Sequence, residues 1–217
     1  MKTKFLIIFL LILTSSCKNR EDIQATWIGA YSLSQETSHF APHSAIHQIL
    51  TFRTDSAFVV ERIICDSVFI SKAHYKFEKG VLYLGDKKEA IKVELNSDSL
   101  VIIGDDNRQR VYKKLKNINL PDHNKEIKYT GNTYVINSQQ GTDTIKFLSN
   151  NTYLSKMENI DRCWDQINHS GYEILFLGGF ESPTLVLKHV RGDSLEFSSY
   201  AQEEHSVSLR KLNKNVW

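Results

Sequence analysis

Asp98-Ser99-Leu100-Val101 recurs 95 residues later as Asp193-Ser194-Leu195-Glu196, and the segments around each copy match as well. The same offset lays Leu50-Thr51-Phe52 on Ile145-Lys146-Phe147, and Asp55-Ser56-Ala57-Phe58 on Asn150-Asn151-Thr152-Tyr153. Each match reads strand, polar turn, strand. Farther upstream the offset becomes 103, pairing Ala30-Tyr31 with Thr133-Tyr134; the extra eight residues fall in the His-rich segment Thr37 to His47, which only the first copy has. Leu82-Tyr83-Leu84-Gly85 matches Leu175-Phe176-Leu177-Gly178, and the closing Tyr112-Lys113-Lys114-Leu115 matches Leu209-Arg210-Lys211-Leu212. Small indels between conserved-looking blocks are what loops tolerate, so the chain reads as a duplication.

The period inside each copy is that of strands. Ile91, Val93 and Leu95 alternate with Lys92 and Glu94, Leu195 and Phe197 flank Glu196, and Val207 and Leu209 flank Ser208. Alternation puts one face in a core and the other in water. Turn signals such as Glu78-Lys79-Gly80, Asn96-Ser97-Asp98 and Arg191-Gly192-Asp193 leave room only for short strands and hairpins. Seven or eight strands per copy suffice to close a small antiparallel barrel, which removes exposed edges. The expected fold is all-β, two tandem small antiparallel barrels at 24–116 and 128–217, with a polar, Pro-containing linker at 117–127.

Before the first copy, Lys2 and Lys4 precede nine apolar residues, Phe5 to Leu13, then Thr14-Ser15-Ser16-Cys17. A membrane-spanning helix needs about 20 apolar residues, so this is the pattern of a secretory signal rather than a span. With Cys at the break, residues 1–16 resemble a bacterial lipoprotein signal. That resemblance implies cleavage before Cys17, a diacylglycerol on its thiol and a further acyl chain on its amine, with 17–23 as a short charged tether. Thr14 stands where that signal most often has Leu. The acidic Glu21 and Asp22 after the Cys resemble surface-export signals of Bacteroidetes lipoproteins, which implies an outer-membrane location in the cell envelope.

Removing residues 1–16 lowers the basic count from 27 to 25, equal to the 25 acidic residues. A neutral mature chain offers no electrostatic case for nucleic acid.

Each copy also resembles the small lipocalin-like domains of bacterial lipoproteins. The residues carrying it are Trp27-Ile28-Gly29-Ala30-Tyr31 on the opening strand, the Leu50 to Phe58 hairpin, Tyr75 to Leu84, Ile91 to Leu100, and Val111 to Leu115. The second copy has Gly131-Asn132-Thr133-Tyr134 in place of the Trp segment, and the missing aromatic plug implies a flatter or less closed second barrel. The resemblance implies a cavity and says little of its contents.

Four features invite sharper readings. Gly192-Asp193-Ser194-Leu195 spells the nucleophile block of GDSL hydrolases, but it lies 24 residues from the end and Gln202 stands where the companion Asp would precede His205; a hairpin turn is favoured over an esterase. His39, His43 and His47 fall at i, i+4 and i+8, a helical metal spacing broken by Pro42; a loop over the first barrel's mouth, holding ligand or protein partner, is favoured over a metal site. Cys65 and Cys163 are the remaining thiols, and an oxidising compartment permits a bridge if the barrels touch there. No catalytic constellation and no cofactor motif emerges. The expected role is therefore binding, of a small apolar ligand or a protein partner, through the mouth of the first barrel; filled barrels serving as accessory surfaces are the alternative, and a GDSL-type esterase a remote one. Cys17→Ala should move the protein from the membrane to the soluble fraction on fractionation, whereas an unchanged membrane fraction would show that something other than lipid anchors it.

Overall fold

The computed structural model describes residues 23–33, 46–62, 68–85, 89–105, 108–116, 127–157, 161–178, 184–200 and 203–213. Among these residues every regular element is a strand. β1 (Thr26–Leu33), β2 (Gln48–Phe52), β3 (Ser56–Arg62), β4 (Val68–Glu78), β5 (Val81–Leu84), β6 (Glu89–Leu95), β7 (Ser99–Ile103) and β8 (Gln109–Lys114) follow one another around a closed antiparallel barrel. β9 (Thr133–Ser138), β10 (Gly141–Phe147), β11 (Thr152–Ser155), β12 (Asp161–His169), β13 (Tyr172–Leu177), β14 (Thr184–Arg191), β15 (Ser194–Tyr200) and β16 (Glu204–Lys211) close a second. Two of the connecting turns, Lys79-Gly80 and Ser170-Gly171, place both residues at positive φ (51° and 76°, 52° and 83°). That is the mirror-image turn whose twist suits a two-residue hairpin, and glycine takes its second position without strain.

The duplication is written into equivalent hydrogen bonds. The Asp98 carbonyl accepts from the Lys114 N–H at 3.0 Å, and the Asp193 carbonyl from the Lys211 N–H at 2.8 Å. The Thr26 and Thr133 carbonyls accept from Leu115 and Leu212 in the same way.

Register corrects the letter matching in three places. Trp27 pairs with Leu50 and Lys114, while Tyr134 pairs with Ile145 and Lys211, so Tyr134 stands in the place of Trp27 rather than of Tyr31. The second barrel is therefore neither open nor flattened at that end. Tyr134 packs with Tyr129 and Phe147, and Trp164 with both of those, ring centroids 4.9 to 6.1 Å apart, so an aromatic cluster fills the end that Trp27 fills in the first barrel. Next, Phe52 pairs with Ala57 but Phe147 with Tyr153, so the second turn is one residue longer. A one-residue slip reverses facing: Tyr153 lies inside its barrel, whereas Phe58 faces out beneath the Arg53 guanidinium, 5.0 Å from the ring. Finally, Leu50, Phe52 and Leu100 share the first core, and Ile145, Phe147 and Leu195 the second, but Leu115 joins neither and Leu212 is only half-buried.

Leu115 belongs to a third core, between the barrels. Ile28, Ile49 and Val60 project outward from β1, β2 and β3, yet are fully buried against Tyr172, Ile174, Phe176, Val186 and Tyr200 of the second barrel. Burying a side chain of this size contributes about 1.5–3 kcal/mol. The outer face of β12 completes the contact: Asp165 accepts from Arg62 Nε at 2.8 Å, Ile167 packs on the third core, and His169 Nε2 meets Thr51 Oγ1 at 2.9 Å.

These pairs fix the relative orientation. Call the end of each barrel that carries the β2–β3 or β12–β13 hairpin the floor, and the other end the mouth. Thr51–His169 and the Tyr172 hydroxyl donating to the Lys116 carbonyl are floor-level contacts, while Arg62–Asp165 and His47–Thr184 lie toward the mouths. The barrels stand side by side with both mouths on one side. Of the expected linker, only Ile127 is among the described residues, and it packs on the second core.

The Arg62 side chain is wholly buried, and its Nη atoms, above the Phe176 ring, have no hydrogen-bond partner among the described residues. Asp165 is thus its main compensation. Asp165→Leu should cost about 3–5 kcal/mol in urea unfolding, and adding Arg62→Met should restore most of it, because removing one member of a buried pair is worse than removing both; a double variant as unstable as the single would show that the pair is not what stabilises the junction.

Candidate functional site: the open mouth of the second barrel

A cavity of about 420 Å³ opens at the mouth of the second barrel, within the range of small-molecule pockets. Its wall is built by alternation: Ile145 on β10, Tyr153 on β11, Leu177 on β13, Leu185 on β14 and Val207 on β16 all point inward. The aromatic cluster around Phe147 closes it below. Its rim carries Gln139, Gln140, Thr142, Met157 and His205.

The equivalent positions of the first barrel explain why that mouth differs. Pairing across β2–β3 and β10–β11 sets Gln48 and Glu61 against Asp143 and Met157, and pairing across β7–β8 and β15–β16 sets Arg110 against Val207. In the first barrel the Tyr112 hydroxyl donates to Gln48 Oε1 at 2.7 Å, and Gln48 Nε2 donates to Glu61 Oε1 at 2.8 Å. Long polar side chains bridge one mouth. In the second, Asp143 folds back on its own hairpin: Oδ1 accepts the Thr144 and Met157 N–H groups at 2.6 and 3.1 Å, and Oδ2 accepts the Ser155 hydroxyl at 2.6 Å. Short or apolar groups leave the other mouth open.

Most polar atoms of the cavity wall are engaged by the protein itself. The Tyr153 hydroxyl donates to the Gly178 carbonyl at 3.1 Å and the Thr142 hydroxyl to Asn137 Oδ1 at 2.7 Å. His205 and Ser199 face each other across β15–β16, and no hydrogen bond from either side chain is found among the described residues. With Gln139 and Gln140 on the rim, they are polar side chains available to a ligand. Below the cavity, burial together with Glu173 pushes the Tyr129 phenol well above its usual range, so its hydroxyl stays protonated and donates to Glu173 at 3.1 Å.

The residues singled out in the sequence lie elsewhere. His47 is buried between the barrels, its Nδ1 3.3 Å from Thr184 Oγ1 and its ring edge-on to Phe176, a junction position rather than a loop over a mouth. His39, His43, Cys17 and Cys65 fall outside the described residues. Cys163 is disulfide-bonded and sits on the outer, barrel-facing side of β12, two residues from the Asp165 that holds Arg62. Among the described residues no group of His, Cys, Asp and Glu is placed to hold a metal ion. Ser194 opens β15 after the two-residue Gly192-Asp193 turn, with Asp193 taken up by Lys211 and Asn213. The cavity itself had no signal in the sequence beyond the apolar-for-charged exchange at Val207 and Arg110.

At the floor of the junction, burial and then the nearby Arg53 charge hold the His169 imidazole below its ordinary pKa of 6.5. The folded chain resists the proton that the unfolded chain accepts, so stability is lost as the pH falls from about 6.5 toward the lower folded value. Urea midpoints measured at about pH 7 and about pH 5 should fall more for the parent than for His169→Gln; equal losses would show that His169 does not sense pH.

No protein family, curated protein or solved structure matches this chain.

Proposed function

We propose that the chain is a lipid-anchored protein of the cell envelope that binds, without catalysis, a small apolar molecule in the mouth of its second lipocalin-like barrel. The observation carrying this is the contrast between the two mouths: the same positions that bridge the first barrel with Gln48, Glu61 and Arg110 are Asp143, Met157 and Val207 in the second, which leaves an apolar cavity with His205 and Ser199 at its upper wall. An apolar body buried against Ile145, Leu177 and Leu185, with one hydrogen-bonding group directed at His205, fits such a wall. The first barrel serves as the support, since Trp27, Phe52, Leu82 and Leu100 fill its interior.

The anchoring part of this reading rests on Cys17 and the leader before it. Ser194 opens β15 directly after a hairpin turn, which favours reading the GDSL spelling as a turn.

Native mass spectrometry of the protein purified from its source should show a co-purifying small molecule. Ile136→Trp, at the half-buried edge of the cavity, should weaken binding of an apolar fluorescent probe about tenfold or more while leaving the unfolding midpoint near that of the parent. Undiminished probe binding in that variant would place the ligand elsewhere.

A further inference from the structure

A second hollow, of about 1060 Å³, lies between the barrels at floor level, and it exists only because both are present. Its wall takes Thr26, Phe52 and Arg53 from the first barrel, Lys114 and Lys116 from the end of β8, and Ser170 and Tyr172 from the β12–β13 hairpin. Arg53, Lys114 and Lys116 face it, against one acid, Asp98. None of the three cations forms an ion pair among the described residues. Two are held in place by rings instead: Arg53 lies over Phe58 at 5.0 Å and Lys114 Nζ over Trp27 at 5.6 Å. Ser170 adds a hydroxyl beside these charges, while Thr51 Oγ1 is taken up by Thr26 and His169.

The position of the hollow matters as much as its charge. Gln24 lines it and Ile23 is buried in the first core. Only six residue steps separate Ile23 from Cys17, a reach of at most about 20 Å. If Cys17 carries the lipid, the floor faces the bilayer and the mouths face away. Cations at that range feel the negative surface of an anionic leaflet.

We infer that the floor-level cleft seats the phosphate headgroup of an anionic phospholipid in the membrane that holds the chain; this rests on the anchoring reading above. The guanidinium of Arg53 and the ammonium of Lys114 receive the phosphate, and the Ser170 hydroxyl lies in the same wall. The contact orients the two barrels on the surface and keeps the second mouth directed at the aqueous side.

The test uses the lipidated full-length protein in nanodiscs of phosphatidylcholine, with or without phosphatidylglycerol, read by hydrogen exchange over residues 51–56 and 96–99. Exchange there should slow roughly tenfold or more on the anionic discs, and Arg53→Gln/Lys114→Gln should erase the difference while staying anchored. Equal exchange on the two discs, or a difference that survives the double variant, overturns the cleft. Full protection on phosphatidylcholine discs by added glycerol phosphate would show a site for soluble phosphate and overturn the lipid assignment. The mass of the Cys17 peptide reports separately on the anchor: an unlipidated Cys17 overturns the anchoring reading, whereas a lipidated Cys17 with unchanged exchange overturns the cleft alone.

Discussion

Ile28, Ile49 and Val60 stand on the outer surface of a barrel, and a barrel's outer surface normally meets water. Here each is fully buried, because the second barrel covers it. The constraint runs both ways: Ile174, Phe176 and Val186 are equally apolar on the outside of β13 and β14. Separated, each barrel would expose a contiguous apolar face of the kind that drives association. The junction is therefore a third core, and the unit that folds is the pair. Around its edge the polar contacts Arg62–Asp165, Thr51–His169 and His47–Thr184 fix the angle at which the cores meet.

That junction also shows where sequence reading stops. Alternation and turn chemistry were enough to find the strands, and the repeated Asp-Ser-Leu block was enough to find two barrels, since both signals are local. Facing is not local. Phe58 and Tyr153 match by letter, yet one additional turn residue before Tyr153 sends them to opposite sides of their sheets. Tyr134 matches Tyr31 by letter and Trp27 by position, because the strand that opens the second copy starts later relative to its aromatic residue. Leu115 matches Leu212 by letter and lies just past the last strand of the first barrel, yet it is core of the junction. In each case the residue type was informative and the partner was not, since the partner depends on register and on how two closed surfaces meet.

The cavity was illegible for a related reason. It is a difference of volumes, and no residue marks it. Val207 alone is an ordinary strand residue; it becomes informative only beside Arg110, its counterpart at the offset of the closing block, and only once both are known to point into their barrels. The His-rich insertion drew attention because it breaks the repeat, yet its last member, His47, is spent on the junction.

The way the copies meet has a further consequence for a duplicated chain. The first copy uses the outer faces of β1 to β3, the second those of β12 to β15, so different surfaces of one repeat come together, a head-to-tail contact that would add barrels indefinitely if every copy kept both faces. Register shows why it stops at two. The second copy's counterparts of Ile28, Ile49 and Val60 are Val135, Thr144 and Lys156, and the first copy's counterparts of Cys163, Asp165 and Ile167 on β12 are His74, Lys76 and Glu78. His74, Lys76 and Glu78 line the outer face of β4, where Lys76 and Glu78 pair with each other at 2.9 Å and both remain largely in water. A third barrel docking on that face would have to strip water from three polar groups and offer nothing to replace it. The counterparts of Ile174 and Phe176 stay apolar, as Val81 and Tyr83, so what ends the array is the hydroxyl, imidazole and charge around them, where the faces that meet carry isoleucine, phenylalanine and one enclosed ion pair. Divergence of the copies at these outward positions ends the array, just as divergence at inward positions fills one mouth and opens the other.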